Sequence, residues 1–127
     1  MLLNDPASVG EIARLFERYE AALAANDIPT LTAFFWDSTL AVRYGIGECL
    51  YGHRAIADFR HARIGGSPAR ILERAQITVF GSHVAVVNAE FRRNGEPRCG
   101  RQSQTWVRFA DGWRIVAAHV SLQAERS

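Results

Sequence analysis

The sequence predicts an α+β domain, on three observations. Apolar residues recur at helical spacing in the first half of the chain and at strand spacing in the second half. Pairs of turn-forming residues separate the extended stretches, as they do between the strands of antiparallel hairpins. The length of 127 residues is that of one domain. We therefore expect residues 1–127 to form a single domain in which three helices pack on one face of an antiparallel sheet.

The first helix is predicted to begin near residue 6. Asp5 followed by Pro6 is typical of a helix N-terminus, and a capping box at 8–11 offers an alternative start. Residues three and four positions apart form one apolar stripe: Ile12, Leu15, Phe16, Tyr19 and Leu23. Tyr19 is thus expected on the buried face of this helix. Asp27 is expected to cap a second helix over 28–35.

A short strand at 40–44 and a third helix at 53–64 are predicted next, with glycines interrupting the segment between them. On the third helix, Arg60 and Arg63 lie on the same side as the apolar residues Ile56 and Phe59. The sequence GGSP at 65–68 ends that helix. The apolar side of the third helix is therefore expected to carry two cations.

The last part of the chain is predicted to form four long strands, over 70–80, 83–92, 98–109 and 113–123. The separating dipeptides are hairpin signals: Gly81-Ser82, Asn94-Gly95 and Asp111-Gly112. Residues of the last two strands should share a face if an even number of loop residues joins them, whereas an odd number would break the grouping. The grouped residues are Gln102, Gln104, Trp106, Ile115, Ala117, His119 and Ser121.

This predicted strand face is apolar near the turn and polar at its far end. Apolar walls with a few polar groups are typical of a small-molecule pocket, because buried amides and imidazoles need hydrogen-bond partners. The opposite face would be mainly apolar, and we expect it to pack against a second subunit and so form a homodimer. Its expected residues are Ser103, Thr105, Val107, Val116, Ala118 and Val120.

Composition excludes several classes of function. The formal charge is +2 and the basic residues are scattered, so we expect no nucleic-acid partner. All fifteen basic residues are arginine, which excludes lysine Schiff bases, Ser-Lys catalysis and the P-loop. The four histidines lack metal-binding spacing, so we predict no metal and no cofactor.

The N-terminal segment MLLNDPASVG has neither the basic nor the apolar region of a signal peptide. No apolar run is long enough to span a bilayer. We therefore expect no membrane partner, a cytoplasmic location, and free thiols at Cys49 and Cys99.

Several stretches resemble one protein family. They are YEAAL, FW at 35–36, VRYG at 42–45, ECLYGH at 48–53, DFR at 58–60, GRQSQTWV and GWRIVAAHVSL. The order of elements resembles the nuclear transport factor 2-like superfamily, with its cone-shaped SnoaL-like fold. That superfamily hosts isomerases, cyclases, dehydratases and non-catalytic binders. The stretches themselves resemble the AtzH/HpxZ-like family within it.

The narrower resemblance implies a protein linked to an amidase-type enzyme in cyanuric acid or ureide breakdown. In the cyanuric acid branch it implies conversion of 1,3-dicarboxyurea to allophanate, which removes one N-carboxyl group. Such a site must hold carboxylates and protonate nitrogen. The matching FW stretch places Trp36 among the substrate-binding residues.

Arg43 suits the first task, because its planar fork binds a carboxylate in a bidentate manner, and the resemblance marks it as a pocket residue. Tyr19 suits the second task as proton donor or positioning group, in a context that also matches the family. Arg60 or Arg63 is the hypothesis for a second cation. The urea part would be lined by polar side chains: Gln102, Gln104, His119 and Ser121.

Each assignment has a structural alternative. Arg43 could be the ion-pair partner of Glu20 or Glu48. Tyr19 could be a core aromatic residue with a satisfied hydroxyl, and His119 a hydrogen-bonded core histidine. The two glutamines and Ser121 could simply fasten strands together.

The function has alternatives as well. One is a non-catalytic module that binds a small acid or a partner amidase subunit. Another is an isomerase or cyclase of the same superfamily, which predicts a buried carboxylate as general base, with Asp37, Asp58 and Glu90 as the candidates.

Overall fold

Three helices and six strands make up the fold, and the computed structural model describes residues 1–125. The helices are α1 (Pro6–Ala25), α2 (Ile28–Phe34) and α3 (His53–Ala62). The strands are β1 (Val42–Tyr44), β2 (Cys49–Tyr51), β3 (Arg70–Phe80), β4 (Val84–Arg93), β5 (Gly100–Phe109) and β6 (Gly112–Leu122). The predicted α+β class, with its three helices and four long strands, is confirmed. Strand β2 was not predicted.

Capping side chains fix where the first two helices begin. The Asp5 carboxylate accepts a hydrogen bond from the Ser8 backbone N–H at 3.2 Å, so the first of the two predicted starts of α1 is confirmed. Asn26 ends α1 in the left-handed conformation, at φ 52°. Asp27 then caps α2 by accepting from the Thr30 N–H at 3.3 Å.

The six strands form one sheet in the order β2-β1-β6-β5-β4-β3. Strand β1 runs parallel to β6, whereas the other neighbouring strands are antiparallel. The expectation of a wholly antiparallel sheet is therefore wrong at this one pairing. The cause is the crossover through α3, which carries the chain from β2 to the far edge of the sheet, so that the meander of long strands returns β6 to the side of β1.

The helices cover one face of the sheet, which we call the inner face. Its apolar residues are fully or almost fully buried: Val79, Ala85, Val87, Trp106 and Ile115. Aromatic side chains from the helices pack on them, and the Phe34 ring meets the Trp106 ring edge to face at 5.7 Å. On the other face, the outer face, none of the three helices of the described chain is packed. None of the helices within residues 1–125 has the length and apolar character needed to cross a bilayer.

Two β-bulges decide which polar side chains reach the inner face. An extra residue in one strand reverses the facing of the residues beyond it, because side chains alternate along a strand. In β6 the extra residue is Val116, since Trp106 pairs with Ile115 but Thr105 pairs with Ala117. In β3 it is Glu73, since Arg74 pairs with Glu90 but Leu72 with Phe91.

The bulge in β6 corrects the predicted composition of both faces. The turn does have an even loop, and Trp106 shares a face with Ile115 as predicted. Beyond Val116 the alternation reverses, so Ala118 and Val120 are buried on the inner face. The outer face keeps its other predicted members, Ser103, Thr105 and Val107, and gains Ala117, His119 and Ser121.

Candidate active site

A buried tyrosine and a buried arginine meet beneath the helices. Tyr19 of α1 is 2% exposed and Arg60 of α3 is 3% exposed. The Arg60 Nη2 group donates a hydrogen bond of 3.0 Å to the Tyr19 hydroxyl oxygen. The Tyr19 ring is held edge to face against Phe34 and Phe35. The Tyr19 oxygen accepts this hydrogen bond, so the Tyr19 O–H group can still donate its own proton to a ligand.

Arg43 lies beside this pair and is oriented by Glu48. The β1 residue Arg43 is buried on the inner face, and its Nη1 group lies 3.0 Å from Glu48 Oε1. Glu48 fits there only because Gly45 has no side chain, since a Cβ at Gly45 would lie 1.7 Å from Glu48 Oε1. The Arg43 guanidinium also lies over the Phe59 ring, 5.4 Å from its centroid. Arg43 therefore has a fixed place in the site.

A third arginine approaches from β3. The bulge at Glu73 turns Arg70 to the inner face, where it binds both carboxylate oxygens of Glu20 and lies over the Phe91 ring at 4.4 Å. Its Nη2 group also donates to the Gln102 side-chain oxygen at 3.1 Å. Arg70 thus links helix α1 to the polar part of β5.

Arg63 and Arg93 complete a group of five that we call the arginine cluster: Arg43, Arg60, Arg63, Arg70 and Arg93. Burial lowers the pKa of the Arg43 guanidinium; Tyr19 opposes that shift and Arg60 adds to it. Burial also lowers the pKa of Arg63, with a further contribution from Arg60. It lowers the pKa of Arg93 too, with contributions from Arg63, Arg70 and Arg43. In the structure, Arg43 and Arg63 both lie over the Phe59 ring, and Arg70 and Arg93 both lie over the Phe91 ring.

Only part of this positive charge is compensated. Glu48 pairs with Arg43 and Glu20 pairs with Arg70. Within residues 1–125, Arg60, Arg63 and Arg93 have no carboxylate within 4.0 Å. A buried cation without a counter-charge is costly. The arrangement is therefore suited to a small ligand that brings negative charge of its own.

Surface grooves lie around the cluster. One groove has a volume of about 770 Å³ and opens between α1 and the segment 65–69. It is lined in part by Glu20 and Arg70, so it borders the arginine cluster on the side of Arg70. Within residues 1–125, His, Cys, Asp and Glu side chains form no group of three that could hold one metal ion. Cys49 and Cys99 are free thiols.

The model of the AtzH-like family matches residues 1–126. The chain belongs to the AtzH-like family. The resemblance read from the sequence is thereby confirmed at the level of the family.

Two solved structures are similar to this AtzH-like chain over nearly their whole length. One is a protein of unknown function of the DUF3225 family from Pectobacterium atrosepticum, with 45% identity over 96% of this chain and 95% of that chain and a TM-score of 0.93. The other is a cystatin-like fold protein from Burkholderia xenovorans, with 45% identity over 99% of both chains and a TM-score of 0.93.

A more distant similarity shows the superfamily fold alone. A nuclear transport factor 2-like superfamily protein from Salmonella enterica has 24% identity over 95% of this chain and 94% of that chain, with a TM-score of 0.78. The comparison with curated proteins found no match. The predicted nuclear transport factor 2-like fold is therefore confirmed.

In this AtzH-like chain, six of the predicted site residues lie together at the inner face. Tyr19 and Arg60 are in contact, Arg43 lies next to them, and Gln102 and Gln104 are buried on β5. Arg63 joins them from the end of α3, with its guanidinium 5.6 Å from the centroid of the Phe59 ring. Arg60 and Arg63 are thus both members of the cluster.

The prediction that His119 and Ser121 line the same site is wrong. They pair with Ser103 and Arg101 on the outer face, because the bulge at Val116 reverses the alternation. His119 packs edge to face on Tyr44, with ring centroids 5.6 Å apart. Ser121 Oγ accepts a hydrogen bond from Arg101 Nε at 3.2 Å.

The structure places Trp36 away from the cluster as well. Its ring stacks on Phe109, with centroids 5.3 Å apart and planes 16° from parallel. The Trp36 backbone N–H donates to the Ile115 carbonyl, which holds the residue at the opposite end of the inner face. It lines a separate groove of about 620 Å³ together with His53 and His61.

Sequence reasoning missed Arg70 and Arg93. The inward position of Arg93 could have been predicted, because every second residue of β4 faces inward and Arg93 follows Ala89 and Phe91 in that series. The inward position of Arg70 could not, since without the bulge at Glu73 it would face outward. Of the two alternatives for an ion-pair partner of Arg43, Glu48 is the one that the structure shows.

Proposed function

We propose that the chain removes an N-carboxyl group from a small urea-derived dicarboxylate, as in the conversion of 1,3-dicarboxyurea to allophanate, without a metal or cofactor. The observation that carries the proposal is Arg60, a buried guanidinium that lacks a carboxylate partner and is hydrogen-bonded to the buried Tyr19 hydroxyl beside Arg43. This arrangement supplies both a carboxylate anchor and a proton donor.

Charge supports a ligand with two carboxylates. Among residues 1–125, the carboxylates that pair with the five guanidinium groups of the arginine cluster are those of Glu20 and Glu48. Arginine keeps its charge at any physiological pH and binds carboxylates through paired N–H donors. A dicarboxylate would neutralise much of the excess, whereas a neutral or cationic ligand would leave it uncompensated.

The reaction needs one proton at nitrogen. When the C–N bond of the N-carboxyl group breaks, its electron pair stays on nitrogen and the carboxyl carbon leaves as carbon dioxide, or as bicarbonate if water adds to it. The nitrogen then takes a proton, which in this proposal the Tyr19 O–H donates; the hydrogen bond that its oxygen accepts from Arg60 supports this role. Arg60 keeps a positive charge beside the oxygen that gives up this proton, while Arg43 would hold the carboxylate end.

An isomerase or cyclase is less well supported, because that chemistry calls for a buried carboxylate base. The side chains of Asp37 and Asp58 are exposed, and Glu90 is exposed on the outer face. The carboxylates nearest the cluster, Glu20 and Glu48, are both ion-paired with arginine. Both carboxylates are therefore already engaged as hydrogen-bond acceptors of arginine.

The assembly belongs to the proposal as well. We place a homodimer interface on the outer face, where half-buried Thr105, Val107 and Ala117 form a patch that no helix covers. We also propose the cytoplasmic location expected from the sequence, and a functional link to an amidase-type enzyme, which the family resemblance implies.

The substitution Tyr19→Phe separates an enzyme from a non-catalytic binder of small acids. We expect the rate of dicarboxyurea breakdown to fall by about 100-fold or more, because the proton donor is lost. The rise in melting temperature caused by glutarate, a stable dicarboxylate with a backbone of the same length, should stay close to that of the wild type.

Tyr51→Phe is the matched control, because Tyr51 is an exposed tyrosine on β2. Its turnover should equal that of the wild type. If Tyr19→Phe kept full activity, Tyr19 would not be the proton donor, and the catalytic part of the proposal would fail.

A further inference from the structure

The two buried glutamines of β5 have their side-chain oxygens occupied. Arg70 Nη2 donates to the Gln102 oxygen at 3.1 Å, and Trp106 Nε1 donates to the Gln104 oxygen at 3.1 Å. Guanidinium and indole nitrogens donate hydrogen bonds and accept none. Each amide must therefore turn its oxygen toward that neighbour, so its NH2 group cannot exchange places with the oxygen.

Both NH2 groups are left as donors. Gln102 is 3% exposed and Gln104 is 1% exposed. Among the described residues, the Nε2 atoms of both side chains have no hydrogen-bond partner, and the same holds for Arg60 Nε. A buried donor without an acceptor destabilises the protein, so an oxygen brought by a ligand would be bound with a gain in free energy.

The sheet register relates one of these donors, that of Gln104, to Arg43. Arg43 pairs with Ala118 across β1 and β6, and Ala118 pairs with Gln104 across β6 and β5. Arg43 and Gln104 therefore flank Ala118 on the inner face, about 10 Å apart between Cα atoms, which is two strand spacings. The side chain of Ala118 between them is a single methyl group, and the proposal below places the ligand across it.

We propose that Gln102 and Gln104 form an oriented pair of N–H donors that binds the urea carbonyl oxygen of the substrate, and that Arg70 and Trp106 are the positioning residues that fix this orientation. This inference rests on the proposed function, in which Arg43 and Arg60 hold the reacting carboxylate. The site then selects a dicarboxylate with an oxygen acceptor at its centre, because a ligand without one leaves both amides unpaired.

Two probes that lack the scissile C–N bonds isolate the central oxygen; 3-oxoglutarate must be freshly dissolved, because as a β-keto acid it slowly loses carbon dioxide. Glutarate and 3-oxoglutarate have the same backbone length and the same two carboxylates, but only 3-oxoglutarate has a central carbonyl, in the position of the urea carbonyl. Calorimetric titration of the intact protein should show 3-oxoglutarate binding about tenfold more tightly than glutarate, since two neutral hydrogen bonds are gained.

The variants Gln102→Met and Gln104→Met should bring the ratio of the two affinities close to one, while glutarate affinity changes less than about threefold. Trp106→Phe should lower the ratio in the same way, because the Gln104 amide is then free to turn. If Trp106 served packing alone, its substitution would weaken both ligands equally and leave the ratio unchanged. Gln76→Met, at an exposed outer-face position of β3, is the matched control.

The outcomes are separable. Equal affinity of the wild type for both probes would overturn the donor pair but leave the dicarboxylate site of the proposed function standing. Binding of neither probe would overturn the dicarboxylate site, and the donor pair with it. If Trp106→Phe fails to fold, an unchanged ratio in both glutamine variants still refutes the proposal, and a collapsed ratio supports it.

Discussion

Replacing Arg43 by alanine should reduce the rate of allophanate formation from 1,3-dicarboxyurea by at least about 100-fold, toward the uncatalysed rate. Arg43 is the buried cation of β1 that Glu48 and Phe59 hold in place. In the proposed reaction its guanidinium anchors a carboxylate through two N–H donors, and alanine offers none. The affinity for glutarate should fall as well, because the anchor serves the bound ligand and the transition state alike.

The fold should survive this substitution. The Glu48 carboxylate, which loses its partner, is partly exposed and can be solvated, so we expect a loss of about 1–2 kcal/mol in the free energy of unfolding.

Arg43→Lys keeps the charge but not the planar guanidinium, and it should recover only part of the activity. Arg92→Ala is the matched control, because Arg92 forms an exposed ion pair with Glu73 outside the cluster. Wild-type activity in Arg43→Ala would remove Arg43 from the mechanism.

The substitution Gly100→Ala should give the largest loss of stability, about 3 kcal/mol. A Cβ at Gly100 would lie 2.2 Å from Phe91 Cε2 and 2.3 Å from Cζ, and the Phe91 ring is fully buried. That ring supports the guanidinium groups of Arg70 and Arg93. Thermal unfolding should show a melting temperature lower by roughly 10 °C, together with weaker glutarate binding.

Two further variants test the cause of that loss. Gly47→Ala is the control, because a Cβ there meets nothing within 4 Å, and its stability should change by less than about 0.5 kcal/mol. Adding Phe91→Leu to Gly100→Ala should restore part of the lost stability, because the smaller side chain gives way to the new methyl group. An unaltered melting temperature in Gly100→Ala would show that the Phe91 ring moves aside without a loss of stability, which would contradict the prediction.

The sequence predicted most of the fold because its signals are local. Helical spacing gave α1, with Tyr19 on its buried face, and turn dipeptides separated the long strands. The parallel pairing of β1 with β6 carries no such signal, since it depends on where the crossover through α3 returns the chain. Resemblance to a family, rather than periodicity, was what pointed to Tyr19 and Arg43.

The candidate site was harder to predict because two bulges reverse the facing of the strand residues beyond them. The bulge at Val116 turns His119 and Ser121 outward, and the bulge at Glu73 turns Arg70 inward. A bulge reverses the facing of the residues on one side of it relative to those on the other side, and the alternating pattern of the sequence does not show where this happens. Gln102 and Gln104 lie on their predicted face because β5 pairs with β4 without a register shift. The alternation of side chains along β5 is therefore unbroken.

The most direct test of the central claim is the rate of allophanate formation from freshly generated 1,3-dicarboxyurea, followed in parallel with the wild-type protein and without protein. Because N-carboxylated ureas decompose on their own, the uncatalysed rate must be measured in the same run. We predict that the wild type accelerates the reaction in proportion to its concentration. Equal rates with and without protein would contradict the proposed N-carboxyl removal for this substrate.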